Sequence, residues 1–437
     1  MRRRGYALSL VLVLLLAGCG SGVDYKKLAS RMSAGDCAAA TRCVQKAEEY
    51  GRNQQLLHLM DAAAVNMYCG RYAESNDFLH LADQYAEDLW TKSLTAETAA
   101  FLLNDYTIPY SGEDFERALI NMLSAVNYAV LSNYEDALVE CRRLNNKLEF
   151  YNSKYEDKKN AYKEDAFGRY LSGTIYEAED PGSLEGLDNA FIDYHKAMDA
   201  FKDYQSQYGT PVPQVFLEDY LRVAEATGRL DEALESPEAP VTWASQESVR
   251  EMGRLVLIHL NGRAPVKEQD KVLVPTPRGP ITLAFPRFVV WPSACRGSAL
   301  VARSAAGREF RAETELVEDI NAIALRNLED RRGRVVLKTL ARAAAKQAAI
   351  EGISRQMGSR EAQAAARLGL NLLNLVVERA DTRSWRTLPG EIFFTRMFVP
   401  PGSYALRAEL CEGRSRDLGT VRVGPGETRF LLLDTIF

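Results

Sequence analysis

The chain has 437 residues, 46% apolar and 26% charged, which is ordinary for soluble globular protein and long enough for two or three domains with cores of their own. Its 54 Lys and Arg stand against 59 Asp and Glu, a formal net charge of -5 that argues against nucleic acid as a partner. Seven cysteines without C-x-x-C spacing, and four scattered histidines (His58, His80, His195, His259), support neither a metal site nor a cofactor.

At the N-terminus Arg2, Arg3 and Arg4 precede an apolar run over residues 6–16, which closes on Leu16, Ala17, Gly18 and Cys19. That order is a signal peptide, and the run is about half the roughly 20 residues that a spanning helix needs. Leu-Ala-Gly-Cys resembles the lipobox of bacterial lipoproteins, in which the cysteine thiol takes a diacylglycerol, the chain is cut before it, and the new amine is acylated with a fatty acid such as palmitate. The resemblance implies removal of residues 1–18, lipid attachment at Cys19 and stable membrane anchoring through several acyl chains. Gly20 in place of aspartate implies the periplasmic face of the outer membrane. Loss of three arginines takes the net charge from -5 to -8.

Residues 19–235 read as a helical repeat. Gly35-Asp36-Cys37-Ala38-Ala39-Ala40 returns 35 residues later as Gly70-Arg71-Tyr72-Ala73-Glu74-Ser75, then as Ser132-Asn133-Tyr134-Glu135-Asp136-Ala137, around Ala190, and as Gly228-Arg229-Leu230-Asp231-Glu232-Ala233. These segments resemble the second helix of the tetratricopeptide (TPR) repeat, a helix-turn-helix unit of about 34 residues, and five partial repeats are expected. The stretch 90–116 is expected to add a further degenerate helical pair. Such an array forms a solenoid with a concave binding face, here lined by Met60, Met67, Tyr68, Met122 and Val126. Two readings follow: an apolar groove for a partner helix or a lipid-like chain, or a face already filled by inserted segments or by the C-terminal half. Antiparallel neighbours bring Cys37 and Cys69 together, so a disulfide is expected there.

Residues 236–437 read as an α+β domain, giving a multidomain chain: an all-α TPR-like solenoid followed by an α+β unit. Strands are expected at 254–260, where Asn261-Gly262 marks a turn, and at 271–275, 281–286, 288–291 and 299–302. A helical stretch follows over 313–379, and strands resume at 392–399, 404–410, 419–423 and 428–433. Cys295 and Cys411 are placed to join the two strand sets. Arg334, Lys338, Arg342 and Lys346 recur every four residues as a basic stripe, open either to anionic lipid or an acidic partner, or simply solvated. Residues 368–377 read as a buried or partner-facing helix, too short to span a bilayer.

Ala380-Asp381-Thr382-Arg383-Ser384-Trp385, Leu388-Pro389 and Pro400-Pro401-Gly402-Ser403-Tyr404 resemble the signature of a widespread, largely uncharacterised family of TPR-containing bacterial lipoproteins. Asn261-Gly262-Arg263-Ala264-Pro265-Val266-Lys267 and Ala284-Phe285-Pro286 are similar to it as well. Asp381, Arg383 and Trp385 are expected either to lock a helix-to-strand junction, through an ion pair and a buried indole, or to form a ligand site. No nucleophile elbow, H-E-x-x-H or phosphate-binding glycine loop is present, so the chain reads as a non-enzyme. The expected function is a lipid-anchored envelope scaffold or adaptor that binds other envelope proteins. The competing readings are an accessory factor of a cell-wall synthesis or secretion complex, and a carbohydrate-active enzyme using a carboxylate pair.

Overall fold

The computed structural model describes residues 23–100, 105–154, 162–234, 241–276, 280–293 and 295–437, so the expected signal peptide and Cys19 lie outside the described residues. Five antiparallel helix pairs lead: α1 (Tyr25–Ser33) with α2 (Cys37–Val44), then a short α3 (Ala47–Tyr50), α4 (Gln55–Tyr68) with α5 (Tyr72–Ala100), and α6 (Asp114–Val130) with α7 (Tyr134–Lys154). The series closes with α8 (Ala166–Glu179) beside α9 (Leu184–Tyr208) and α10 (Gln214–Ala226) beside α11 (Leu230–Leu234).

The turns make the repeat explicit. Gly35, Gly70, Ser132 and Gly228 occupy one position of the unit, and each has a positive φ, between 59° and 72°. In each turn the following N–H reaches back five residues, Asp36 to Arg31, Arg71 to Asn66, Asn133 to Tyr128 and Arg229 to Ala224, a left-handed cap that satisfies the last carbonyls of the first helix. At Gly173 a Cβ would meet the Tyr194 ring at 2.3 Å, so only glycine lets α8 and α9 approach this closely. Among the described residues of 90–116 the expected further helical pair does not appear: α5 runs on to Ala100, and a 3₁₀ turn (Asp105–Thr107) precedes the irregular stretch that leads into α6.

After α12 (Gln246–Val249) come β1 (Gly253–Arg263), β2 (Val266–Val274), β3 (Ile281–Val289), β4 (Ala299–Ser304), β5 (Glu309–Glu313) and β6 (Glu315–Asp319). A helical hairpin, α13 (Ile320–Arg355) and α14 (Arg360–Val377), precedes β7 (Pro389–Val399), β8 (Gly402–Glu409), β9 (Ser415–Val423) and β10 (Thr428–Thr435). The first sheet has the order β10-β1-β7-β6, with β1 and β10 parallel; the second is β5-β4-β8-β9; β2 and β3 form a separate hairpin. The expected helix over 313–379 therefore starts only at Ile320, behind the short charged strand β6, and it is broken before Arg360. No turn falls at Asn261-Gly262, because β1 runs through both to Arg263. Residues 290–291 lie beyond β3.

The first sheet is the middle layer. Val256, Ile258 and Leu260 of β1 join the core of the helical half, while Leu255 and Leu257 join the core under the second sheet. Alternate side chains thus enter two different apolar layers, which is why this strand reads as an unbroken apolar run. One core crosses residue 235: Phe394 packs on Phe167 and Tyr170, Phe430 on Tyr134, and Trp385, Leu388 and Ile392 belong to the same cluster.

The helical half holds eighteen of the 20 tyrosines, and many satisfy buried acids. Tyr25 and Tyr50 donate to Asp61, Tyr110 to Glu116, Tyr162 to Asp165, Tyr170 to Asp219, Tyr194 to Glu177 and Tyr204 to Glu318. A phenol adds apolar area and brings its own donor, so it suits a carboxylate sealed at the joint between halves.

Candidate functional site

Of the two readings of the concave face, the structure has the filled one. Met60, Met67, Tyr68, Met122 and Val126 are all buried. Tyr68 donates its hydroxyl to the Thr387 carbonyl at 2.6 Å and meets the Phe437 ring edge-on. The concave face is filled by the chain's own C-terminal half, because an apolar face of this size is stabilised by whatever apolar layer is covalently at hand. Cys37 and Cys69 are joined, as are Cys295 and Cys411; Cys43 and Cys141 are free thiols.

Asp381, Arg383 and Trp385 do lie together, at the seam between the halves. The Arg383 guanidinium uses all five of its N–H groups: it donates to both carboxylate oxygens of Asp381 at 2.8 and 2.9 Å, and to the carbonyls of Asn53, Asp105 and Ile108 at 2.9–3.2 Å. It pins the extended segment after α5 and the start of α4 to the loop before β7. Trp385 is buried, its backbone N–H donating to Glu116 at 2.7 Å and its indole to Thr387 at 3.0 Å. Through these contacts the three residues join the helical half to the loop before β7.

The basic stripe turns inward rather than toward solvent or a membrane. Lys338 and Arg342 both donate to one oxygen of Asp105, at 2.8 and 2.9 Å, and Arg342 and Lys346 pair with Glu378. The face that matters follows the 3.6-residue period, Arg331, Val335, Lys338, Thr339 and Arg342, and it walls a cavity of about 220 Å³. The opposite walls are Asp105, the stretch from Ile108 to Glu113, Lys267 of β2, Ala284 and Pro286 of β3, and Ala380, Asp381 and Arg383. Glu113 takes both Lys267 and Arg331. Burial pushes the Glu113 carboxyl up, but the two cations outweigh it and hold it down at about 2. Burial likewise opposes ionisation of Asp105, and Lys338 and Arg342 prevail, lowering it.

Sequence reading missed Asp105, Glu113 and Lys267 as partners of this helix. The signal it had was the phase of the stripe: a spacing of four drifts around a helix, whereas 331, 335, 338 and 342 keep to one side.

No family model and no curated protein matches the chain. Among solved structures it is similar to a Podosopora anserina putative kinesin light chain described as nearly identical TPR-like repeats. The identity is 12% and the TM-score 0.29, over 48% of this chain and 87% of that one; a point variant of the same protein aligns equally, over 86% of its length. The N-terminal half is a TPR-like helical repeat. Its repeat unit is defined by the left-handed turns at Gly35, Gly70, Ser132 and Gly228.

Among the described residues no helix is long and apolar enough to cross a membrane, and no cluster of three or more His, Cys, Asp or Glu is placed to hold a metal ion. Asp165 and Glu318 form a buried acidic neighbourhood under Tyr204, and neither lines the cavity. Burial first, then their mutual repulsion, raises Glu318 well above the usual carboxylate range; burial also raises Asp165. A carboxyl raised on folding holds its proton better in the native state. Its contribution is complete below the unfolded value of about 4 and is lost as pH rises through the folded value. Glu318→Gln is therefore expected to gain on the parent between pH 5 and 8, by at least ~1 kcal/mol, the worth of a tenfold change in protonation. Urea denaturation at the two pH values measures this, and parallel pH profiles for variant and parent would refute it.

Proposed function

We propose that the chain is a lipid-anchored scaffold of the cell envelope, tethered through Cys19 on the periplasmic face of the outer membrane, that binds envelope proteins and catalyses no reaction. The observation that carries it is the hairpin of α13 and α14. With the concave face filled, exposed large apolar side chains concentrate there: Leu325, Leu337, Leu340, Ile353, Met357 and Leu368, with Leu337 70% and Leu368 64% exposed. Apolar side chains gathered on one projecting element mark an interaction surface. Of the ten Arg and Lys in residues 320–377, Arg331, Lys338, Arg342 and Lys346 pair inward; the other six stand against four Asp and Glu, net +2 in a chain of net -5. The occupant that fits is a protein presenting an acidic rim around an apolar patch.

The test is photo-crosslinking from position 368 in cells, then purification of the captured protein and measurement of its affinity for the unlipidated chain. A defined envelope protein with an acidic surface is expected, its affinity reduced at least ~100-fold by Leu337→Glu with Leu368→Glu. Self-association through the hairpin, or sedimentation of the unlipidated chain with anionic vesicles in place of a protein partner, would overturn this assignment.

A further inference from the structure

The cavity beneath α13 carries more positive charge than its own carboxylates neutralise. Arg383 and Asp381 cancel as a closed pair. That leaves Lys267, Arg331, Lys338 and Arg342, four cations, on Asp105 and Glu113, two carboxylates, a formal excess of +2. Of the neighbouring charges, Glu378 is offset by Lys346 and Asp114 by Arg117, while burial pushes the Glu116 carboxyl, which Lys267 also feels, toward its neutral form. Both carboxylates are held ionised by cations they share two to one, so neither can supply a second charge.

Concentrating like charges out of bulk water is unfavourable unless a counter-charge sits among them. Lys267 and Arg342 are buried, and burial weakens the screening that solvent gives such groups elsewhere on the surface. One donor is left over: the Arg342 Nε–H, buried on the wall of the cavity, has no acceptor among the described residues. A buried guanidinium N–H without a partner is costly, and a counter-charge at the rest of that guanidinium would offset part of the cost.

We propose that this cavity binds a phosphoryl group. A phosphate monoester carries about -1.5 to -2 at neutral pH, which matches the excess of +2, and it offers three acceptor oxygens to converging Lys and Arg donors. The volume of about 220 Å³ equals that of roughly seven waters at ~30 Å³ each, room for a phosphoryl group and a few further atoms. A single carboxylate brings half the charge and two oxygens, so it is the poorer match. The site is independent of the hairpin's apolar surface, and either can fail without the other.

Calorimetric titration of the full chain without its lipid, at fixed ionic strength, tests the assignment with inorganic phosphate, glycerol 3-phosphate and acetate. Phosphate and the ester are expected to bind and acetate to bind at least ~10-fold more weakly, with phosphate affinity rising as pH passes its second ionisation near ~6. Tighter binding of inorganic phosphate would identify a free-phosphate site; tighter binding of the ester would identify a site for phosphoryl carried on a larger molecule. Lys338→Gln alters a half-exposed side chain, and it is expected to weaken binding about tenfold while urea stability stays at the parent's level, with Lys338→Arg restoring binding. Absence of binding by both phosphates, equal binding of acetate, or an unchanged affinity in Lys338→Gln would overturn the proposal.

Discussion

Replacing Arg396 by alanine is expected to destabilise the protein by about 3–5 kcal/mol, read from urea denaturation at neutral pH. Arg396 projects from β7 into the helical half, where it donates to Glu177 at 2.9 Å and pairs with Asp219. Arg222 holds the other Glu177 oxygen at 2.8 Å, and Arg254 of β1 donates to the Glu177 carbonyl at 2.9 Å. All five side chains are buried, so solvent screens none of them. Deleting Arg396 leaves Asp219 with only Arg222 at 3.4 Å and takes one of two guanidinium partners from the Glu177 carboxylate, and the loss of those buried ion pairs is the cost. Burial alone would raise Glu177, but Arg222, Arg396 and Arg254 outweigh it and hold it well below its ordinary value. A carboxyl lowered on folding stabilises above its unfolded value near ~4.3 and loses that contribution as pH falls. The gap between parent and variant should therefore narrow in acid. A loss under ~1 kcal/mol, or a gap that widens as pH falls, would mean that the cluster does not join the halves.

What could be read from the sequence, and what could not, divides along the range of the interaction. The repeat was legible because its turns are local: glycine at 35, 70 and 228, each followed by a polar or charged residue, dictates a left-handed cap within six residues. Ser132 takes the same conformation without glycine's freedom, and there the pattern rested on Asn133 and the helix that follows. The strand β1 was legible from its apolar run, but its sandwiched position was not, since a two-sided burial and a helix core write similar text. Whether the concave face stayed open was not legible. Met60 and Met122 are apolar whether they meet a partner or the chain's own sheet, and only tertiary packing decides it. The charged strands β5 and β6, five residues each, carried too weak an alternation to separate from the helix behind them. The cavity was invisible for a simpler reason: Asp105, Glu113, Lys267 and Arg331 lie up to 226 residues apart (331 minus 105), and no local pattern links them.

The junction residues, by contrast, were identified together, and their locking role implies a second large effect: Trp385→Ala is expected to destabilise by about 3–5 kcal/mol. The indole is 1% exposed and sits in the core shared by the helices and the first sheet. Its N–H donates to Thr387, whose hydroxyl donates at 2.6 Å to Asp61, the fully buried acid that also takes Tyr25 and Tyr50. Alanine would open a cavity between the layers and leave the Thr387 oxygen without its donor. Trp385→Phe separates the two contributions, since it keeps most of the ring and loses only the N–H, for a cost of about 1–2 kcal/mol. A ligand-stacking tryptophan behaves differently: truncation would leave urea stability within ~1 kcal/mol of the parent, because such a ring gains its contacts only when ligand arrives. A small loss in Trp385→Ala would thus return Asp381, Arg383 and Trp385 to the status of a binding site. A large loss, with Trp385→Phe intermediate, fixes them as the bolt that holds the β layer in the concave face and keeps that face closed to any partner.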